Sequence, residues 1–383
     1  MKGKSLYWGK MLIMRGEIGS EKEKDIIISQ ERPNFFAYNK KYQLYCISEK
    51  SFDLKTLQKL GKFYSQNNEL YTGAVIKISP KDIKKYLDID SEIVYIERNG
   101  KILGCIINVL FPTRINMDIT IPDLLDKSER YHRLLPEKKD DKDIILPCTT
   151  FLNNHKKYRG KGLGMMLIQK SLQINYDIGN LSAYFLNSVP RCDNAIKINI
   201  WTYPCNFSRL EKLGIPYNTR FKNKYNRDLG SDLKIILIDE KNSLEALFLY
   251  KILVKDKSIY FNPDITYWNK FIKSFRTYIV LSNGKNIGIF SLYNNNIYVT
   301  SNKCEITYGN RLICIGKQPE TLECMLHQSK ENGYDIIHLQ EVGDLTSDLL
   351  RKSYCTKTTN SDYLNFYNFR IVLSASDIYL PLL

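Results

Sequence analysis

HKKYRGKGLGMML (155–167) sets three glycines and four cationic side chains directly ahead of an apolar run. N–H groups in the first turn of a helix have no intrahelical partner, and the helix dipole adds partial positive charge there, so anions bind readily. Glycines at 160, 162 and 164 let oxygen atoms approach the backbone, and Arg159 and Lys161 add charge-assisted contacts. The stretch therefore reads as a polyphosphate-binding loop, with a flexible basic turn before an ordinary helix as the alternative. It is not a Walker loop, because G-K-[ST] is missing, and it fails the dinucleotide spacing G-x-G-x-x-G.

Working outward, LPCTTFL (146–152) reads as the strand before the loop. GMMLIQKSLQINYD (164–177) reads as an amphipathic helix with Met165, Ile168, Leu172 and Tyr176 on its core face. The surrounding pattern repeats. VYIERNGKILGCIINVL (94–110) and YIVLSNGKNIGIFSLY (278–293) each read strand, Asn-Gly turn, strand, and Gly100 and Gly104 are answered by Gly284 and Gly288 at an offset of 184. Each copy continues into a further strand, a helix and another strand, the second through NRLICIG (310–316), PETLECMLHQSKENG (319–333) and YDIIHLQEV (334–342). Only the first copy carries R-x-x-G-x-G, so only the first half is built to hold phosphates. The chain divides into an arm (1–42), a first mixed half (43–222) and a second (223–383), with a long charged connection at 112–145.

Composition bounds the function. A chain of 383 residues, 43% of them hydrophobic, exceeds the size of a single small core. No apolar run approaches 18 uncharged residues, and the N-terminus is broken by Lys, Arg and Glu, so a cytoplasmic protein without stable membrane insertion is expected. Nine cysteines without a C-x-x-C pair and four histidines without ligand spacing read as reduced thiols and no metal. The formal charge of +15 suits an anionic partner, yet it is interleaved with acids, as in EKKDDKD (137–143), and no nucleic-acid module is recognisable. A phosphorylated ligand is expected, and no nucleic acid.

R-x-x-G-x-G after a strand and opening a helix resembles the pyrophosphate loop of GNAT-superfamily acyltransferases. The longer stretch TTFLNNHKKYRGKGLG (149–164) is similar more specifically to protein N-myristoyltransferase, whose segment runs N-F-L-C-x-H-K-K-L-R-S-K-R-L-A; Phe151, Leu152, His155, Lys156, Lys157, Arg159, Lys161 and Leu163 coincide with it. LYWGKM (6–11), FDL (52–54), IWTYPCNFSRLEKL (200–213, at Trp201, Asn206, Arg209 and Leu210) and YLNFYNFR (363–370) extend the likeness along the chain.

The resemblance implies an α+β fold of two tandem GNAT-like halves related by a pseudo-twofold repeat. It implies transfer of myristate from myristoyl-CoA, the acyl donor, to the N-terminal glycine amine of client proteins, by a monomer. Tyr7, Trp8, Phe151, Leu152, Lys157, Arg159, Gly160, Lys161, Gly162, Leu163 and Gly164 would bind the acyl-CoA. The backbone amides of Phe151 and Leu152 would form the oxyanion hole, and the α-carboxylate of Leu383 would be the base. Glu69, Tyr184, Asn187, Trp201 and Asn206 would contact the acceptor peptide. Three places depart from the family: its K-F-G-x-G-D-G loop aligns with YCTKTTN (354–360), its acidic loop shrinks to SQNNE (65–69), and its T-A-G turn becomes FLNSVP (185–190). Other readings are a GNAT enzyme of different chain length or lysine specificity, and an acyl-CoA-binding protein that no longer transfers.

Overall fold

The computed structural model describes residues 42–48, 51–68, 74–116, 143–180, 182–191, 195–224, 228–369 and 373–383. Tyr7, Trp8, Glu69, nearly all of the arm and most of the 112–145 connection lie outside the described residues.

The first half runs β1 (Gln43–Ser48), α1 (Leu54–Asn67), β2 (Ala74–Lys77), α2 (Pro80–Asp88), β3 (Ser91–Arg98), β4 (Lys101–Ile115), β5 (Asp143–Asn154), α3 (Leu163–Asp177), β6 (Ala183–Asn187), β7 (Ile196–Pro204) and α4 (Phe207–Lys212). The second runs β8 (Leu233–Leu237), α5 (Ser243–Val254), β9 (Ile259–Phe261), α6 (Ile265–Ser274), β10 (Arg276–Ser282), β11 (Lys285–Val299), β12 (Cys304–Gly316), α7 (Glu320–Glu331), β13 (Ile336–Gln340), α8 (Ser347–Lys352), β14 (Thr356–Tyr367) and β15 (Ile378–Tyr379).

Both Asn-Gly turns form. Asn99 and Gly100 lie at φ 51° and 73°, and Asn283 and Gly284 at 49° and 76°, the paired positive values that a tight hairpin turn needs. The bulges next to them also recur at the same spacing, between Ile96 and Glu97 and between Val280 and Leu281.

The strands join one sheet in the order β1, β3, β4, β5, β6, β14, β7, β13, β12, β11, β10, β8. Exchanging each strand for its repeat partner reverses this order onto itself, so the two halves are related by a pseudo-twofold. Each half also lends its last strand to the other: β14 lies between β6 and β7, and β7 pairs with β13. β2 of the first half pairs with β11, and β9 of the second pairs with β4. These exchanges tie the halves through main-chain ladders, and one core cluster spans both, from Tyr64 and Phe111 to Phe261 and Trp268.

The helix after the glycine loop differs from its sequence reading in which face is most buried. Met165, Ile168 and Leu172 pack only partly buried near Ala183 and Tyr367, whereas Leu163, Leu167 and Ser171 are fully covered. The covered positions Leu163, Leu167, Ser171 and Asn175 recur every fourth residue, on a face rotated from the stripe that the apolar residues mark. Even a polar residue goes inside: Asn108 Nδ2 of β4 donates to Ser171 Oγ at 2.6 Å.

Candidate active site

β5 and β6 share a single register pair, Cys148 with Tyr184. Past it β5 and β6 no longer pair, while β6 stays paired with β14 along its whole length, so a wedge opens beside residues 149–152. On its other edge β5 pairs with β4, and there Phe151 and Leu152 fall between the pairs Thr150–Ile107 and Asn153–Cys105. Two residues oppose one, which is a bulge, and it takes that backbone out of the ladder. Phe151 pays with a left-handed φ of 51°, strain of about 1–3 kcal/mol for a bulky residue. Its surroundings hold it there. Tyr64 Oη donates to the Phe151 carbonyl at 3.0 Å, and the Phe151 ring packs edge-on against Tyr64 and Tyr86. Leu152 is 42% exposed at the mouth of the wedge.

The chain terminus enters the same place. Leu380, Pro381 and Leu382 are buried, and Leu383 packs against the main core. Thr150 Oγ1 donates to the terminal oxygen of Leu383 at 3.3 Å, and Tyr184 Oη donates to the Pro381 carbonyl at 2.7 Å. Burial pushes the Tyr184 phenol well above its usual range, so it stays a neutral donor. Burial likewise pushes the Cys148 thiol up to about 12, partly offset by Tyr184 and the Leu383 backbone.

The glycine loop follows at the far end of β5. A short 3₁₀ turn, Lys156–Tyr158, leads into α3. Gly162 is the N-cap at φ 82°, and no side chain caps the helix, which leaves its first-turn N–H groups open to an anion. Gly164 serves packing: a Cβ there would come 2.9 Å from Asn154 Nδ2. Lys156, Lys157, Arg159 and Lys161 are exposed around the loop. Arg159 is partly engaged, since Nη2 donates to the Asn67 carbonyl at 3.0 Å, and Lys161 lies 5.1 Å from the Tyr158 ring centroid.

Leu163 is buried in a small cluster under the loop. Asn187 lies opposite Tyr363, and its Oδ1 accepts from the Val189 N–H. Trp201 and Asn206 are engaged elsewhere. The Trp201 indole donates to Glu341 Oε2 at 3.1 Å within the second core cluster, and Asn206 caps α4 through the Arg209 N–H. The structure thus gathers Phe151, Leu152, Tyr184 and Leu383 at the wedge and the basic glycine loop beyond it.

Several contributors escaped the sequence reading. Asn67, at the end of α1, accepts from the Lys156 N–H at 3.2 Å through Oδ1 and donates to the Phe63 carbonyl at 2.8 Å. Thr150 sits inside TTFL, and Tyr64 lies far from it in sequence. Neither carries a local signal, because each role arises from a contact between distant segments.

Among the described residues no helix is long and apolar enough to cross a membrane, and no His, Cys, Asp and Glu cluster is placed to hold a metal. No protein-family model matches the chain, and no curated protein sequence does. Solved structures do match, and they share this architecture. Two structures of Saccharomyces cerevisiae N-myristoyltransferase with bound myristoyl-CoA align at TM-score 0.72 and 12% identity, covering 99% and 97% of this chain and 94% of each of theirs. A third, with myristoyl-CoA and inhibitors, aligns at TM-score 0.70 and 11% identity over 97% of this chain and 92% of that one. The described residues share the fold of these structures.

Proposed function

We propose that the chain is an N-acyltransferase that moves myristate from myristoyl-CoA to the N-terminal glycine amine of acceptor peptides. One observation carries the reading: the main-chain oxygen of Leu383, bonded by Thr150, lies in the wedge beside the Phe151–Leu152 bulge, on the strand whose end opens the basic glycine loop.

The residues fit a CoA thioester. The uncapped N-terminus of α3 and the exposed Lys157 and Lys161 suit its pyrophosphate. The bulge supplies main-chain donors for the carbonyl oxygen, where negative charge develops during attack. An α-amino group with a pKa of roughly 7.7–8.0 is mostly protonated at neutral pH and must lose a proton before it attacks. The Leu383 carboxylate accepts that proton. The amine nitrogen then bonds to the thioester carbon as the carbon–sulfur bond breaks; a second amine proton accompanies the departing CoA thiol. Thr150 and Tyr184 keep the base in register, and the apolar residues around the terminus exclude water. Protein N-termini are the acceptors in this reading, and the protein acts on them as a cytoplasmic monomer.

Mass spectrometry of glycine-initiated octapeptides incubated with myristoyl-CoA tests the reading, using the intact protein and one lacking Leu382 and Leu383. The expected result is one myristoyl group on the N-terminal amine, lost on truncation. Tight acyl-CoA binding without transfer to any peptide would assign the chain to the non-catalytic binders, and preference for acetyl-CoA or for lysine amines to other GNAT enzymes.

A further inference from the structure

The wedge of the first half has a counterpart in the second. β12 and β13 run parallel through the pairs Tyr308–Ile336, Gly309–Ile337 and Asn310–His338, and then separate. Arg311 is the first residue past that fork, and only 3% of it is exposed. Its Nε and Nη2 are buried without a hydrogen-bond partner, and among the described residues no carboxylate pairs with it. A guanidinium stays protonated at any working pH, and an unpaired buried charge is among the costliest things an interior can hold.

The neighbours do not balance it. The His338 imidazole is pushed down to about 4 by burial and then by Arg311 itself, so it stays neutral. The Cys314 thiol is pushed up to about 12 by burial and stays protonated. Asp344 follows Gly343 in sequence, but its carboxylate is already engaged by Lys257 at 3.2 Å and by the Tyr379 hydroxyl at 2.6 Å. Arg311 borders a cavity of about 10 Å³ shared with Tyr250, Val342, Gly343, Tyr379 and Leu380. That is room for one water-sized body, and nothing in the lining carries negative charge.

We propose that this fork binds one small monovalent anion of the halide class, held by the Arg311 guanidinium and walled by the chain's own C-terminal segment. The net charge of +15 favours its uptake. Because Tyr379 and Leu380 line the cavity, occupancy also braces the segment that ends at Leu383.

The test is thermal unfolding of the full-length protein in sodium chloride and in sodium gluconate at equal ionic strength, gluconate being too large to enter. Bromide-soaked crystals accompany it. Chloride should raise Tm above the gluconate value by an increment that grows with concentration as mass action requires, and Arg311→Met should lack that increment. Bromide should give an anomalous peak within hydrogen-bond reach of the guanidinium. Equal Tm in the two salts, or only water or one of the chain's own carboxylates against Arg311, overturns the proposal. If Arg311→Met does not fold, the wild-type salt pair and the anomalous map decide it alone.

Discussion

Tyr184→Phe tests how the terminus is held. The ring is fully buried and stays in place, so the substitution removes only the hydroxyl that donates to the Pro381 carbonyl at 2.7 Å. A buried carbonyl left without its donor costs about 1–3 kcal/mol, and each 1.4 kcal/mol is tenfold in an equilibrium. Opening of the terminal segment should therefore become roughly 5- to 150-fold more populated. Carboxypeptidase reads that population directly when opening and closing are faster than cleavage. Release of Leu383 and Leu382 from the native protein, followed by intact mass, should accelerate by that factor in the variant. An unchanged release rate would refute the argument that Tyr184 fastens the terminus. A Tm that falls in step with faster release would instead place the bond in global stability.

The loop and the His338 imidazole give three further expectations. Gly162→Ala places a Cβ at φ 82°, costing about 1–2 kcal/mol, so chemical denaturation should show stability lowered by that amount with the fold retained. Asn67→Ala removes the acceptor of the Lys156 N–H and the bond to Phe63, and hydrogen exchange at Lys156 should rise by about tenfold, for a loss of about 1–2 kcal/mol. His338 is held down to about 4 by burial and then by Arg311, so between the unfolded value near 6.5 and that value the unfolded chain binds a proton the folded one does not. Stability should fall as pH drops through that window, and His338→Gln should flatten the decline in chemical denaturation series at pH 7, 6 and 5.

The repeat at an offset of 184, the paired Asn-Gly turns and the glycine loop before α3 are all local, because each depends on backbone conformations that a few adjacent residues impose. They were enough to show two similar α+β halves, only one of which carries the basic glycine loop. Apolar periodicity does not locate the buried face of α3, since Ser171 and Asn175 share that face with Leu163 and Leu167. Nothing local could show that β14 and β7 are exchanged between the halves. That pairing joins segments far apart in the chain, and its register is set by the core faces they bury together.

The site divides along the same line. The sequence by itself determined that a glycine-rich, cationic loop precedes α3, since glycine conformations and cationic charge are properties of the residues themselves. Only the tertiary structure decided that Asn67 braces that loop, that Tyr184 and Thr150 hold the terminus, and that Arg311 is buried without a counter-charge. These are contacts between surfaces that exist only after the chain has closed on itself, where burial turns an ordinary hydroxyl, amide or guanidinium into a group that must find a partner.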